Sequence, residues 1–301
     1  MIKKRFIKLD EALLSLKKEI NDNKEKNKRI KGISSKFNDL DKYILGFQKD
    51  HLIVLGGRPA MGKTTLALNF MINVGLQGKS VAFFSMENDV SQITRRILSI
   101  VSEIKNFDLI NYKLDDDDLK KIDKAYMKLK DKKIFIYDAV KLTIEDIIKK
   151  CREMKNSDNG LDLVIIDYLQ LINTKNSFDN REEEINMISH SLKLMAIELH
   201  IPVIILSELS RSIDSRNNKE PLLSDFNESS SIINAADIIM LLYRSSYYNR
   251  TRVMDTLEFT KLIIAKNTNR EVGTIYLRFK QEYGTYSNYL IGVSNGETKN
   301  N

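Results

Sequence analysis

Six short apolar runs recur along the chain, separated by longer stretches of mixed polarity. They lie at 51–56, 80–86 (SVAFFSM), 133–138 (KIFIYD), 161–167 (LDLVIID), 201–209 (IPVIILSEL) and 236–243 (ADIIMLLY). Runs of this length that are apolar at almost every position predict strands of a parallel sheet covered on both faces. The stretches 90–104, 116–131, 143–155 and 181–199 between them have helix length. This alternation predicts an α/β fold, a mostly parallel, twisted, doubly wound sheet flanked by helices. After residue 256 the pattern changes: 256–267 and 273–289 alternate apolar and polar positions around short turns. They predict antiparallel strands at one sheet edge. The run DDDD (115–118) is expected to begin a helix, where negative charge suits the dipole. No internal repeat is visible.

The first 30 residues form an appendage. Phe6, Leu9, Leu13, Leu16 and Ile20 recur at spacings of three and four, which predicts a short amphipathic helix. Its stripe needs an apolar partner, either the chain's own domain or a neighbouring subunit. The expected organisation is a helix and charged linker over 1–31, one large domain over 32–290, and a disordered tail over 291–301. Composition changes this picture little. Lys plus Arg number 48 and Asp plus Glu 41, and the resulting charge of +7 permits a polyanion partner without establishing one. No apolar run approaches the ~20 residues of a membrane span. The basic N-terminus is interrupted by acidic residues and does not read as a signal peptide. A single cysteine, Cys151, excludes an internal disulfide and fits a reducing, cytoplasmic setting. His51, His190 and His200 show no metal-ligand spacing.

The chemistry begins at residues 57–64, GRPAMGKT, between the first apolar run and the helix-like stretch KTTLALNFMINVGL. A strand, a glycine loop G-x-x-x-x-G-K-[ST] and a helix in this order bind the polyphosphate of a nucleoside triphosphate with magnesium. Gly57 and Gly62 are expected to adopt backbone angles closed to other residues, turning the loop N–H groups inward as an anion nest. The candidate nucleotide-binding residues are Gly57, Arg58, Pro59, Ala60, Met61, Gly62, Lys63, Thr64 and Thr65. Lys63 would reach the β- and γ-phosphates, and Thr64 would be a magnesium ligand. Ligands of open α/β sheets sit beyond the carboxyl ends of the strands. Asp167 ends LVIID there and is the candidate second metal residue, although Asp138 after IFIY looks much the same. Glu87, after VAFFSM, is the candidate residue to orient the attacking water.

The segments GISSKFNDLDKYILGFQKDHLIVLGGRPAMGKTTLALNF, FFSME, VIIDYLQLI, IPVIILSELSRSIDSR, EPLLSDFNESSSI, ADIIMLLYRSSYYN and IIAKNTNREVGTIYLRF follow in this order. Together they resemble the motor domain of DnaB-type replicative DNA helicases over roughly residues 32–289. The resemblance implies a RecA-like P-loop fold and a homohexameric ring. It also implies ATP and Mg²⁺ as cofactors, movement along single-stranded DNA, and primase and helicase-loader partners. It makes Glu87 the catalytic glutamate, Asp167 the Walker B aspartate, and residues 1–30 the linker helix that packs on the adjacent subunit. The family's helical N-terminal domain does not precede that linker, so the reading is of an excised motor domain or a naturally short, phage-like form.

Three departures fall where activity is decided. Glu208 stands where the family's γ-phosphate-sensing glutamine is expected, and a carboxylate beside phosphate needs a compensating cation or proton. The family's K-x-R-x-G segment, which donates an arginine finger to the neighbour's nucleotide, reads KNTNREVG. Lys266 keeps the lysine place, Thr268 takes the finger place, and Arg270 lies two residues on. A finger is worth about 10³–10⁵ in rate, roughly 4–7 kcal/mol of barrier, which threonine cannot supply. Lys266 and Arg270 are therefore the candidate catalytic cations, Arg270 on the expectation that a two-residue shift keeps the same strand face. The family's DNA-contacting R-E-S-G loop corresponds to Asn227, Glu228, Ser229 and Ser230, with Arg211, Arg216 and Lys219 nearby in sequence. Two alternatives to a ring helicase follow: a slow RecA-like ATPase such as a filament former or switch, and a non-catalytic, nucleotide-binding ring subunit.

Overall fold

A computed structural model describes residues 6–25, 30–139, 141–226, 230–248 and 258–289. In chain order the elements are α1 (Leu9–Glu25), α2 (Asn38–Ile44), β1 (Leu52–Gly57), α3 (Lys63–Gly75), β2 (Val81–Ser85), α4 (Val90–Ser102), α5 (Asn106–Asn111), α6 (Asp116–Leu129) and β3 (Ile134–Asp138). They continue with α7 (Ile144–Lys155), β4 (Leu163–Asp167), α8 (Arg181–Leu199), β5 (Val203–Glu208), α9 (Ser230–Ala235), β6 (Ile238–Arg244), α10 (Ser245–Tyr248), β7 (Glu258–Asn267), β8 (Gly273–Lys280) and β9 (Thr285–Asn288).

Among the described residues nine strands form one sheet in the order β3-β2-β4-β5-β1-β6-β7-β8-β9. The six apolar runs supply β1 to β6, which pair in parallel. The alternating C-terminal stretches supply β7, β8 and β9, which continue the sheet antiparallel. β1 is buried throughout, between β5 and β6, as its unbroken apolar sequence requires. β3, at the sheet edge, is only partly covered.

Helix starts follow their caps. Asp89, Asp115, Thr143 and Asn180 each accept a first-turn N–H at α4, α6, α7 and α8. The acidic run therefore caps and opens α6 as expected. Asp138, the look-alike of Asp167, accepts from the Val90 N–H at the start of α4 and so has a positioning role at the sheet edge.

Two apolar layers hold the helices to the sheet. On one face α2, α3 and α4 pack on alternate strand residues, with Phe70 of α3 set edge-on between Phe37 (5.6 Å) and Phe47 (5.2 Å). On the other face α7 and α8 bury Ile147, Ile188 and Leu192 against Val54, Val164 and Ile205. Cys151 lies in this second layer, where burial pushes its thiol up to about 12. α1 is the exception. Its stripe residues Leu9, Leu13, Leu16 and Ile20, and Phe6 before it, are exposed, so the stripe does not fold back on its own domain. Among the described residues no helix is long and apolar enough to cross a membrane.

Phe70→Ala removes the buried α3 ring packed between Phe37 and Phe47, on either side of α2. It should cost about 3–5 kcal/mol of unfolding free energy in urea titration.

Candidate functional site

The carboxyl ends of β1, β2, β4, β5 and β6 converge on a cavity of about 440 Å³. Its floor is the glycine loop between β1 and α3. Gly62 takes φ +99°, and a Cβ there would meet the Tyr286 hydroxyl at 2.6 Å, so glycine is required twice over. Gly57 differs from expectation. Its φ is not positive; what it supplies is room, since a Cβ would sit 3.3 Å from the Lys63 Cγ. The loop's second positive φ, after that of Gly62, belongs instead to Ala60, at φ +61°. No side chain caps the N-terminus of α3. Its first-turn N–H groups and dipole are left to an anion.

Lys63 folds over the loop and donates to the carbonyls of Gly57 (2.8 Å) and Arg58 (3.1 Å). Burial lowers the pKa of its ammonium, opposed by the nearby carboxylates of Glu208, Asp167 and Glu87. The Thr64 hydroxyl donates to Asp167 Oδ2 at 2.7 Å. Asp167 is 1% exposed. Burial pushes its carboxyl up to about 6, against the Thr64 hydrogen bond and with help from Glu87. A hydroxyl and one carboxylate fit magnesium, which takes few protein ligands and fills its octahedron with water and phosphate oxygens. Such a pair falls short of an all-protein cage, and among the described residues no cluster of His, Cys, Asp and Glu forms one. Glu87, exposed just beyond β2, and Glu208, at the end of β5, line the same cavity.

Several lining residues were not foreseen. Arg96 projects from α4 and donates to Asn88. Arg244 ends β6, lies 4.7 Å over the Phe279 ring and donates to Gln281 at 3.0 Å. Tyr283 and Gly284, in the β8–β9 turn, close the far side. Arg244 had a signal, since it ends an apolar strand on the edge that carries Asp167; Arg96 had none short of the fold.

Lys266 and Thr268 lie elsewhere. With His190, Lys193 and Asp237 they line a second cavity of about 840 Å³. Asp237 precedes β6 and accepts from the Leu52 N–H at the start of β1, so this cavity is at the amino ends of the parallel strands. Lys266 donates to the carbonyls of Ile233 and Asn234, and burial lowers its pKa. Residues 268–270 form a turn, so strand alternation does not govern Arg270. Its guanidinium donates to the Lys42 carbonyl at 2.9 Å, outside that cavity. Asn227, Glu228 and Ser229 lie outside the described residues, and Ser230 begins α9. In the neighbouring segment Arg216 is paired with Asp225 and Lys219 donates to the Asp214 carbonyl, while Arg211 is exposed.

The family model described as the DnaB-like helicase C terminal domain matches residues 32–288. The chain belongs to this family. Replicative DNA helicase DnaB of Geobacillus stearothermophilus is 41% identical over 261 residues, covering 86% of this chain and 57% of that protein. The DnaB of Helicobacter pylori strain 26695 is 34% identical over 319 residues, with 95% of this chain and 65% of that protein covered. The chain thus spans well under two thirds of the first of these relatives and just under two thirds of the second. A solved ATPase domain superposes with TM-score 0.88 at 32% identity, covering 95% of this chain and all of that one. A DnaB-like replicative helicase, solved in a study of its interactions with primase, gives 0.85 at 32% identity, covering 95% and 68%. The mostly parallel sheet with an antiparallel C-terminal edge is the architecture expected of the family.

The Asp167 shift carries a pH test. Its folded carboxyl titrates near 6 against an ordinary 3.8, so the folded state binds the extra proton. Stability is then favoured below the ordinary value and falls as pH rises through about 6. Asp167→Asn keeps the Thr64 contact without the charge. In magnesium-free buffer it should stabilise the protein by about 1–3 kcal/mol at pH 8 and little at pH 4, read by urea denaturation.

Proposed function

We propose that this chain is the motor of an ATP-driven, DnaB-type DNA helicase, which hydrolyses nucleotide, moves on single-stranded DNA and separates duplex during replication. The observation that carries this reading is the meeting of Lys63, Thr64, Asp167 and Glu87 around one cavity floored by the glycine loop. The loop N–H groups and the α3 N-terminus hold the α- and β-phosphates. Lys63 has two carbonyl contacts to exchange for terminal phosphate oxygens. Thr64 and Asp167 would hold a magnesium ion, which would neutralise charge on the phosphates. Glu87, the exposed carboxylate at the mouth, orients the attacking water and takes its proton.

Lys266 and Arg270 do not line their own chain's nucleotide cavity, so their part is played at a neighbour's. A homohexameric ring with the nucleotide between subunits meets that need, and the bare stripe of α1 is the natural contact to the next subunit. Asn227, Glu228, Ser229 and Ser230, with Arg211 nearby in sequence, would contact the DNA backbone. The setting is cytoplasmic, with a primase and a helicase loader as partners. One observation favours the slower alternative, a RecA-like ATPase that does not unwind. Thr268 fills the finger place and its hydroxyl is spent on the Asp237 carbonyl at 3.0 Å.

A strand-separation assay with ATP, run beside a measurement of particle mass, tests the reading. Duplex should separate at a mass of six chains, and Lys63→Ala should abolish turnover. Nucleotide turnover without strand separation would select the slower alternative. DNA should stimulate hydrolysis, and DNA affinity should fall steeply with salt, each contacted phosphate adding about 0.7 to the log–log slope.

A further inference from the structure

Three carboxylates surround the phosphate end of the cavity, and Glu208 is the one without a task. Asp167 pairs with Thr64, and Glu87 stands at the mouth. Glu208 sits beside Gly57 across the β1–β5 ladder, at the root of the glycine loop. It lines the same cavity as the Lys63 ammonium. An anionic oxygen there opposes each further negative charge brought to Lys63.

Arg58 belongs to the loop but is not part of the cavity lining, and the residue is 8% exposed. Its guanidinium is anchored at the rear. One terminal nitrogen donates to the Leu209 carbonyl at 2.9 Å and the other to Asp214 Oδ2 at 2.8 Å. The forward contact is longer, 3.5 Å to Glu208 Oε1. Asp214 is itself held by the Tyr248 hydroxyl at 3.0 Å. Burial pushes the Asp214 carboxyl up, but hydrogen bonds from Arg58 and Tyr248 outweigh it and keep the acid below its usual range. The anchor therefore stays anionic at neutral pH, and the planar guanidinium is fixed facing Glu208.

We propose that Arg58 is the positioning residue that compensates Glu208, and that this pair sets how far the site favours a nucleoside triphosphate over a diphosphate. The inference rests on the phosphate reading of the cavity. With Arg58 in place the Glu208 charge is balanced from behind, and a third phosphate enters beside Lys63. Without it the carboxylate charge falls on the terminal phosphate and much less on the two held by the loop. A role limited to bracing the loop would weaken both nucleotides alike.

Equilibrium binding of magnesium ADP and of a nonhydrolysable magnesium ATP analogue to the full chain separates the two roles. Arg58→Gln should weaken the triphosphate analogue about tenfold and the diphosphate less than about threefold. Adding Glu208→Gln should restore the analogue to within about threefold of the parent chain. Glu208→Gln alone, which leaves Arg58 anchored to Leu209 and Asp214, should raise the triphosphate preference about tenfold. Equal loss of both nucleotides in Arg58→Gln, with no recovery in the double variant, would overturn the proposal. If Arg58→Gln does not fold, Glu208→Gln decides alone, and an unchanged preference sinks the pairing. A parent chain that bound neither nucleotide would bring down the phosphate reading itself, and the pair with it.

Discussion

The hydrogen bond from Thr64 to Asp167 joins the first turn of α3 to the end of β4, residues 103 apart in sequence. It sits where burial is nearly complete, so it is made under the opposing pull of desolvation on a carboxylate. That tension is useful. A carboxyl pushed up to about 6 by burial would gain more than an exposed one from a divalent cation beside it. The sheet makes the meeting possible. β1 lies between β5 and β6, β4 lies beyond β5, and all four end on one edge. The glycine loop, the aspartate and Glu208 are thereby delivered to one place by strands that carry no chemistry themselves.

Polarity in that place is graded. Lys63, Arg96 and Arg244 line the cavity, facing Glu87, Asp167 and Glu208. An electrically mixed pocket of this kind discriminates more sharply than a purely basic one, because each added phosphate must find a specific cation. The β8–β9 turn contributes Tyr283 and Gly284, so the antiparallel edge takes part in the site.

Much of this was legible before the fold was known, for identifiable reasons. Continuous apolar runs marked β1 to β6, and the helix-length stretches between them marked α4, α6, α7 and α8. The glycine loop was legible because its spacing encodes a backbone shape. The short helices α2 and α5 were not, being 7 and 6 residues long and closed by Leu45 and Tyr112 in left-handed geometry where glycine is the usual signal. The use of Gly57 for space, with the positive φ carried by Ala60, was hidden because motif spacing does not report angles. The partner of Glu208 was equally invisible. Arg58 lies 150 residues away, and its place in the loop marks it only as a nucleotide-binding candidate.

The two cavities occupy opposite ends of the parallel strands, one beside Lys63 and one beside Lys266. If the second completes the first on another copy, the contact is head-to-tail, and the unit of function is a junction, not a molecule. A linear array of copies then always owns one junction fewer than it has members, and only closure makes the numbers equal. If α1 packs at that contact, its exposed stripe would set the angle between copies, and so how many working centres exist as well as how strongly neighbours adhere.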